Sequence, residues 1–432
     1  MSGDPTDLSA KQLTKLQSLV TKIRDGRPDA FYAERINATP IGFPESVEEF
    51  QTTIGFTTKA DLLADHESHP PFGSNLTQPL SAYTRFCQTS GTSSGQPMVV
   101  LDTPESWAGM LDSWRQVYRG AGLEPGRDRI FFAFSFGPFL GFWTAFEAAS
   151  SDYLSIPGGG LGSLARLSNM ARLGATVLCC TPTYAIRLGE AIGSDSTVSI
   201  DALSVHTIIV AGEPGGSLPS VRRAISELWG ARVYDHHGMS EVGPVSYEHP
   251  SKPENLSVIE SAYLAEVVDP ETGSPVSAGE IGELVLTTLD RCDCPMLRYR
   301  TGDLVKANRD PDDGLLVLEG GILGRADDMA IVRGVNIYPS AIEEVIRSAD
   351  GANSVAEFRI VERKVDAMTE LEVEIEPVKD LGEQAVQTLC AELAQDLAER
   401  FSLRIMVKPV ACGALPRYEF KSVRWVRDPS SS

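Results

Sequence analysis

The sequence predicts an α/β protein in two parts. A large N-terminal domain over residues 1–326 would hold parallel sheets and a small β-barrel-like part, and a smaller α+β domain would fill 327–432. Three observations carry this. Short apolar runs at residues 153–156, 176–179, 207–210 and 232–234 alternate with helical stretches, the pattern of a parallel sheet with helices on both faces. Residues 263–269 and 283–288 then alternate in polarity as antiparallel strands, with Pro270-Glu271-Thr272-Gly273 as a turn between them. After Asp327 a new unit of about a hundred residues begins, a common domain size.

Each element has a local reason. Residues 8–65 read as short helices broken by Pro40 and Pro44. Thr103-Pro104-Glu105 opens a helix with a threonine cap, proline at the first helical position and an early acid. Residues 130–146, IFFAFSFGPFLGFWTAF, carry no charge and approach the length of a membrane span. Gly137-Pro138 interrupts the run and Glu147 follows it, so a buried strand, a tight turn and a core helix are expected. The loops at 157–160 and 211–214 and the Gly238 segment all follow strands. Ligands of such sheets bind at the carboxyl ends of strands, so these loops should meet at one crevice. In the small unit, Ser340-Ala341-Ile342-Glu343 reads as a capping box before a helix with Ile342, Val345 and Ile346 on one face. Strands are expected at 357–362, 371–377 and 405–410, and a helix at 382–400 burying Val386, Leu389, Leu393 and Leu397.

The formal net charge is −21. No basic stripe offsets it, which argues against nucleic acid or an anionic membrane as partner. A polyanionic ligand would need a local exception to that charge. The first residues, MSGDPTDLSAKQLTK, lack the apolar core of a signal peptide, so a cytoplasmic location is expected. Seven scattered cysteines make an odd number and show no secreted spacing, which speaks against a disulfide framework.

The loop CQTSGTSSGQPMVV, residues 87–100, is the most telling segment. Ser90-Gly91-Thr92-Ser93-Ser94-Gly95 sets hydroxyls between glycines. Glycine lets backbone approach an anion, and hydroxyl and N–H groups can wrap phosphate oxygens. Gln96 stands where a Walker loop needs lysine, and taken alone the cluster also reads as a plain turn. Four further segments follow: Asp235-His236-His237-Gly238-Met239-Ser240-Glu241; Arg298-Tyr299-Arg300-Thr301-Gly302-Asp303-Leu304; Gly324-Arg325-Ala326-Asp327-Asp328-Met329 with Arg333-Gly334; and Leu415-Pro416-Arg417 ahead of Lys421. In this order they resemble the adenylate-forming enzymes that include acyl-CoA synthetases. Cys180-Thr181-Pro182-Thr183-Tyr184-Ala185 and the stretch from Met329 to Pro339 resemble the phenylacetate-CoA ligase branch, and the resemblance covers roughly residues 80–425.

The resemblance implies a reaction in two halves. An acid's carboxylate attacks the α-phosphorus of ATP, giving an acyl-adenylate and pyrophosphate; a thiol, usually that of CoA, then displaces AMP. Displacement at phosphorus needs charge neutralisation and in-line positioning more than acid–base chemistry. By likeness, residues 1–326 bind AMP and the acyl group, and 327–432 form a mobile domain. Lys421 matches a lysine that bridges the attacking carboxylate and the α-phosphate, although Phe420 replaces the usual preceding glycine. Gly212-Glu213-Pro214 would shape the adenine pocket. Asp235, His236, Gly238, Met239 and Ser240 would contact the nucleotide, and His237 among them stands at a position that is often aromatic, to stack on adenine or face the acid. Glu241 would hold Mg²⁺, since hard cations prefer carboxylate oxygen; by itself it also reads as a first-turn acid of a helix. Asp303 would accept from the ribose hydroxyls, with a turn aspartate as the alternative, and Arg325 would contact the nucleotide. Asp327 matches the pivot of the small domain, and Arg333-Gly334 would border the thiol channel, where glycine admits a pantetheine arm. Phe134, Phe136, Gly137 and Phe139 would line the acyl pocket, with core packing as the alternative. The phosphate loop carries one residue more than the family pattern.

Some phenylacetate-CoA ligase-like proteins hold zinc beside a Cys-x-Cys pair. Cys292-Asp293-Cys294 and, after the helix expected at Glu241, His249 supply three such ligands here, with the fourth open. Two semi-buried thiols beside a turn are the alternative. Together these expectations describe a ligase that uses ATP, Mg²⁺ and CoA on an aromatic acid, as a monomer or homodimer. An aryl-acid adenylating enzyme that feeds a carrier protein or an amine is the runner-up. A non-catalytic nucleotide-binding protein is disfavoured, because Lys421, Asp303, Glu241 and Arg325 are all present.

Overall fold

The computed structural model describes residues 5–39, 43–89, 97–192, 198–213, 215–326, 330–332, 335–348, 354–365, 368–378, 381–417 and 424–428. Helices α1 (Pro5–Asp25), α2 (Phe31–Asn37), α3 (Val47–Thr53) and α4 (Lys59–Ser68) open the chain. The first is longer than expected. Leu16, Leu19, Val20 and Ile23 recur at helical spacing and are fully buried with Tyr32, Ile36 and Phe50. Helix α4 starts on a capping box between Thr58 and Asp61, which fixes the position of Lys59.

A hairpin of β1 (Arg85–Gln88) and β2 (Val99–Asp102) flanks the predicted phosphate loop. Helix α5 (Pro104–Gly120) begins as its sequence dictates, with Thr103 accepting from the Ser106 amide. There follow β3 (Arg129–Phe132), α6 (Leu140–Ala149), β4 (Leu154–Pro157), α7 (Ser163–Leu173), β5 (Val177–Cys180), α8 (Pro182–Ala191), β6 (Thr207–Val210), α9 (Pro219–Trp229) and β7 (Arg232–Met239). Strands β4-β3-β5-β6-β7 lie side by side and parallel. Every residue of β5 and β6 is buried, as expected for strands covered on both faces. The uncharged run is a strand, a bend and a helix, and no described helix is long and apolar enough to cross a membrane.

The chain continues through β8 (Gly243–Glu248), β9 (Asn255–Val258), β10 (Tyr263–Val268), β11 (Ile281–Thr288), β12 (Tyr299–Arg309), β13 (Leu316–Glu319) and β14 (Gly324–Arg325). These are antiparallel, and they are joined to the parallel strands in one 12-stranded sheet. The joint is β7: residues 232–235 pair parallel with β6, and 236–239 pair antiparallel with β8. Ser240, Glu241 and Val242 form the turn between β7 and β8, so the helix expected at Glu241 is absent. The strand runs straight into its hairpin and leaves no length for one.

The last part comprises β15 (Ala330–Val332), β16 (Val335–Ile337), α10 (Pro339–Ser348), β17 (Val355–Val365), β18 (Met368–Pro377), α11 (Glu383–Phe401), β19 (Met406–Pro409) and β20 (Trp425–Arg427). Its four-stranded sheet, β19-β18-β17-β20, packs Phe358, Ile360, Val373 and Ile375 against Leu389, Leu393 and Leu397 of α11 and Ile342 and Ile346 of α10. The expected capping box at Ser340 is not formed. Helix α10 starts two residues earlier, at Pro339, and the Ser340 hydroxyl donates to the Leu323 carbonyl of the large domain instead. Glu344 makes a second tie, accepting from Ser220 N at 3.3 Å and Ser220 Oγ at 2.6 Å. Helix α9 has Leu218 at its cap position and takes no side-chain cap from it. The other domain's carboxylate fills that role.

Candidate active site

The residues expected at the crevice meet where β7 changes partner. Strand β12 places Asp303 opposite Arg325 of β14, and Arg325 Nη1 donates to Asp303 Oδ1 at 3.1 Å. His237, from the antiparallel half of β7, sits 3.0 Å from Asp303 Oδ2 through Nε2. With Nε2 as donor, Nδ1 is left as an acceptor, and it is buried without a partner among the described residues. Two residues from separate strands, His237 and Arg325, thus meet at the Asp303 carboxylate. Gly302, at φ +76°, supplies the left-handed turn just before it.

Glu241 is held by a device that sequence reasoning missed. Arg291 is 2% exposed and forms a bidentate pair with Asp102 at 2.7 and 2.6 Å. Its Nη1 also donates to the carbonyls of Ser240 and Glu241, both at 2.9 Å. A fully buried arginine must be paired, and here its spare donors grip the turn that carries Glu241. Asp102 closes the apolar run Met98-Val99-Val100-Leu101; a lone acid at the end of such a run was the available signal. Lys59 Nζ lies 3.4 Å from Glu241 Oε1, and the Tyr299 hydroxyl 3.5 Å from the same oxygen.

The rest of that segment divides between crevice and core. Asp235 accepts from Ser217 Oγ at 2.6 Å and from the His236 amide at 2.9 Å. Burial pushes its carboxyl upward against the pull of the Ser217 hydroxyl. A Cβ on Gly216 would stand 2.1 Å from Asp235 Oδ1, so only glycine fits there. His236, expected among the nucleotide contacts, is a core residue. Its Nδ1 faces the Ser246 carbonyl at 2.8 Å, its ring lies 4.2 Å from that of Trp114, and burial lowers it to about 3. Alternation along β7 turns it away from the face that carries His237. Met239 packs on the core beside it, and Gly238 passes so close to β8 that a Cβ would meet the Gly243 carbonyl at 2.7 Å. Glu213 Oε1 accepts from the Thr183 amide at 2.8 Å, tying the loop after β6 to the start of α8, and Gly212 beside it has φ +94°.

Aromatic residues gather beyond the carboxyl end of β3. Phe134 stacks on Phe142 at 4.3 Å, Phe139 meets Phe142 edge-on at 5.8 Å, and Phe136 meets Trp143 edge-on at 5.2 Å. The Trp143 indole donates to the Gly137 carbonyl at 2.9 Å. Phe136 adopts φ +52°, uncommon for a bulky residue. Gly159 of the loop after β4 lies against it, so the loops after β3 and β4 do meet. Arg166, also missed, ties both loops, donating to Gly158 O at 3.0 Å and Phe134 O at 3.5 Å.

The three residues expected to hold zinc are not brought together. Among the described residues no three His, Cys, Asp or Glu side chains converge as metal ligands. His249 is exposed and engaged with Ser251 at 2.7 Å. Cys292 donates to the Leu289 carbonyl, whereas Cys294 packs with Leu76 and Leu101 beside Asn75. Burial pushes both thiols up to about 11. What the motif positions is Asp293, which accepts from Thr103 Oγ at 2.6 Å and Ser106 Oγ at 3.2 Å and pairs with Lys22 at 2.9 Å. Ser90, Gly91, Thr92, Ser93, Ser94, Gly95, Pro214, Asp327, Arg333, Gly334 and Lys421 lie outside the described residues.

Comparison with known proteins gives the family. Residues 79–289 match the model of the AMP-binding enzymes, and residues 334–428 match that of the AMP-binding enzyme C-terminal domain. The phenylacetate-coenzyme A ligase of Thermus thermophilus is 30% identical over 98% of this chain and 96% of its own. The chain belongs to the adenylate-forming AMP-binding enzymes. The Escherichia coli phenylacetate-coenzyme A ligase is 28% identical to this adenylate-forming enzyme over 97% of this chain and 94% of its own. Among solved structures, a 2-hydroxyisobutyryl-CoA ligase in its postadenylation state with 2-HIB-AMP superposes with a TM-score of 0.88 at 26% identity, covering 98% of this chain and 90% of that one. In an open conformation with 2-HIB-AMP and CoA, that ligase gives 0.69 at 26% identity over 97% of this chain and 91% of its own. In its thioesterification state it gives 0.70 at 27% identity over 99% of this chain and 91% of its own.

Proposed function

We propose that this adenylate-forming enzyme activates an aromatic carboxylic acid with ATP and transfers the acyl group to CoA, releasing AMP and pyrophosphate. The observation that carries the aryl reading is the cluster of Phe134, Phe136, Phe139, Phe142 and Trp143 at the end of β3, since flat aromatic walls suit an aryl ring. Likeness to phenylacetate-coenzyme A ligases over nearly the whole chain supports it. Asp303 would accept from the ribose hydroxyls. An ionised carboxylate only accepts, and its two oxygens carry about four lone-pair sites. The Nδ1 of His237, without a partner among the described residues, offers one further acceptor.

Magnesium fits what is present. Mg²⁺ takes most of its ligands from phosphate and water, and asks one or two carboxylates of the protein. Glu241 supplies one, on a turn fixed by Arg291 and with the Lys59 ammonium already drawn to it. The ion would neutralise phosphate charge. Ser90–Gly95 would wrap the phosphates, Gly212-Glu213-Pro214 would border the adenine, and Lys421 would bridge the acid and the α-phosphate. Asp327 would be the pivot, and Arg333-Gly334 would border the path of the thiol.

The domain arrangement supports a chain poised around the first half-reaction, because superposition on the one related ligase is closer for its postadenylation state than for the other two. Pyrophosphate release across a panel of benzoates, phenylacetates, aminobenzoates and short 2-hydroxy acids, with and without CoA, tests the reading. Thioester formation with an aryl acid is expected. Preference for a short aliphatic acid would overturn the aryl assignment, and adenylation that CoA never discharges would overturn the acceptor.

A further inference from the structure

Two glutamates of the small domain face each other across its sheet. Glu357 of β17 pairs directly with Glu376 of β18, and the two are 4% and 0% exposed. Like charges directly opposed in a sheet are destabilising, and buried carboxylates demand partners. Each has taken an arginine from the chain's end. Arg417 forms a bidentate pair with Glu376, at 3.0 Å through Nη1 and with a second bond through Nη2, while the Leu415 amide donates to the same carboxylate at 3.1 Å. Arg424 donates to Glu357 at 2.8 Å and to Glu343 at 2.9 Å, with its guanidinium 4.7 Å over the Phe358 ring. The Arg424 carbonyl accepts from the Ile360 amide at 2.7 Å, which starts the pairing of β20.

In sequence these arginines bracket Lys421, one four residues before it and the other three residues after. We propose that Glu376 and Glu357 are positioning residues for the adenylation step, each fixing one end of the short segment that carries the lysine. The inference rests on the role proposed for Lys421. Stability alone is a poor reason for such pairs, because well-packed apolar residues of similar volume often do as well or better. What two opposed charges and two forked arginines supply is a defined direction and register. The first clamp was half legible: Arg417 stood in a recognised motif, but its partner lies on a strand 41 residues away.

The test separates the half-reactions in the full-length chain. Acid-dependent ATP–pyrophosphate exchange reads adenylation, using phenylacetate or the panel acid that the wild type turns over fastest. Thioester formation from the supplied acyl-adenylate and CoA reads the second half, from which Lys421 would have swung away. For Glu376→Gln, exchange should fall by about 10- to 10²-fold, the scale of an ångström-size misplacement, with thioester formation from acyl-adenylate unchanged. The double variant Glu376→Gln/Arg417→Gln should be no worse than the single, as for residues that act as one unit. If Glu376→Gln does not fold, Arg417→Lys decides, since that side chain is 39% exposed and the change keeps its charge while losing the fork. Equal loss in both half-reactions, or no loss in either, in protein that melts like wild type would overturn the proposal. Lys421→Ala run alongside should lose roughly 10²–10³ in exchange. An unchanged Lys421→Ala would overturn the reading beneath the proposal, whereas an impaired Lys421→Ala with intact Glu376→Gln would overturn the clamps alone.

Discussion

His236 and His237 are neighbours on β7, and pleating gives them opposite tasks. His237 faces Asp303 in the crevice, while His236 is shut into the core against Trp114. Burial holds His236 at about 3 instead of the ordinary 6.5, so the folded chain keeps it neutral while the unfolded chain protonates it. Between those two values the unfolded state binds the extra proton. Stability is therefore complete above pH 6.5 and declines as pH falls toward 3, by an amount on the order of a few kcal/mol. Urea unfolding at pH 7 and pH 4.5 should show this loss. His236→Asn retains an amide donor for the Ser246 carbonyl and should flatten the dependence; parallel slopes for the two proteins would count against the assignment. The adjacent pair could not be sorted from sequence, because their faces depend on where β7 turns from parallel to antiparallel pairing.

At the scale of elements, caps and apolar periods told most of the truth. Thr103, Pro104 and Glu105 opened α5, the runs at 176–179 and 207–210 were strands, and Leu389, Leu393 and Leu397 formed the buried stripe of α11. Several failures share one cause, which is that the decisive partner is distant. Ser340 looked like a cap, but its hydroxyl serves Leu323; Cys292 and Cys294 looked like ligands, but Asp293 is the hub. Arg291 and Asp102 are 189 residues apart, and the lone acid ending the apolar run at 98–101 did not say which cation it would meet. Helix α9 repeats the lesson, since its N-terminal carboxylate is Glu344 from the other domain. Glu344→Ala should remove about 1 kcal/mol from domain docking, a factor of about five in the docked population. Small-angle scattering or a fluorophore pair spanning the domains would register the shift, and an unmoved distribution would show that the contact does not hold them.

At the scale of the molecule, the contact between α9 and α10 would have to break for the small domain to turn. Joining Ser220→Cys to Glu344→Cys with a short reversible thiol crosslinker, on a Cys412→Ser background because Cys412 is exposed, should arrest the chain as described. Pyrophosphate exchange should persist, thioester formation should stop, and reduction should restore it. Loss of both activities would mean that the docked arrangement serves neither half. The crevice belongs to an acidic chain of net charge −21, so the cations around it, Arg325 and Lys59 among them, are local exceptions that the bulk composition conceals. The indole of Trp143 is 37% exposed, rests edge-on to Phe136 and is anchored to Gly137. That makes it a native optical gauge: a ring sliding between those walls would strip water from the chromophore, and its emission would move to the blue with no label attached.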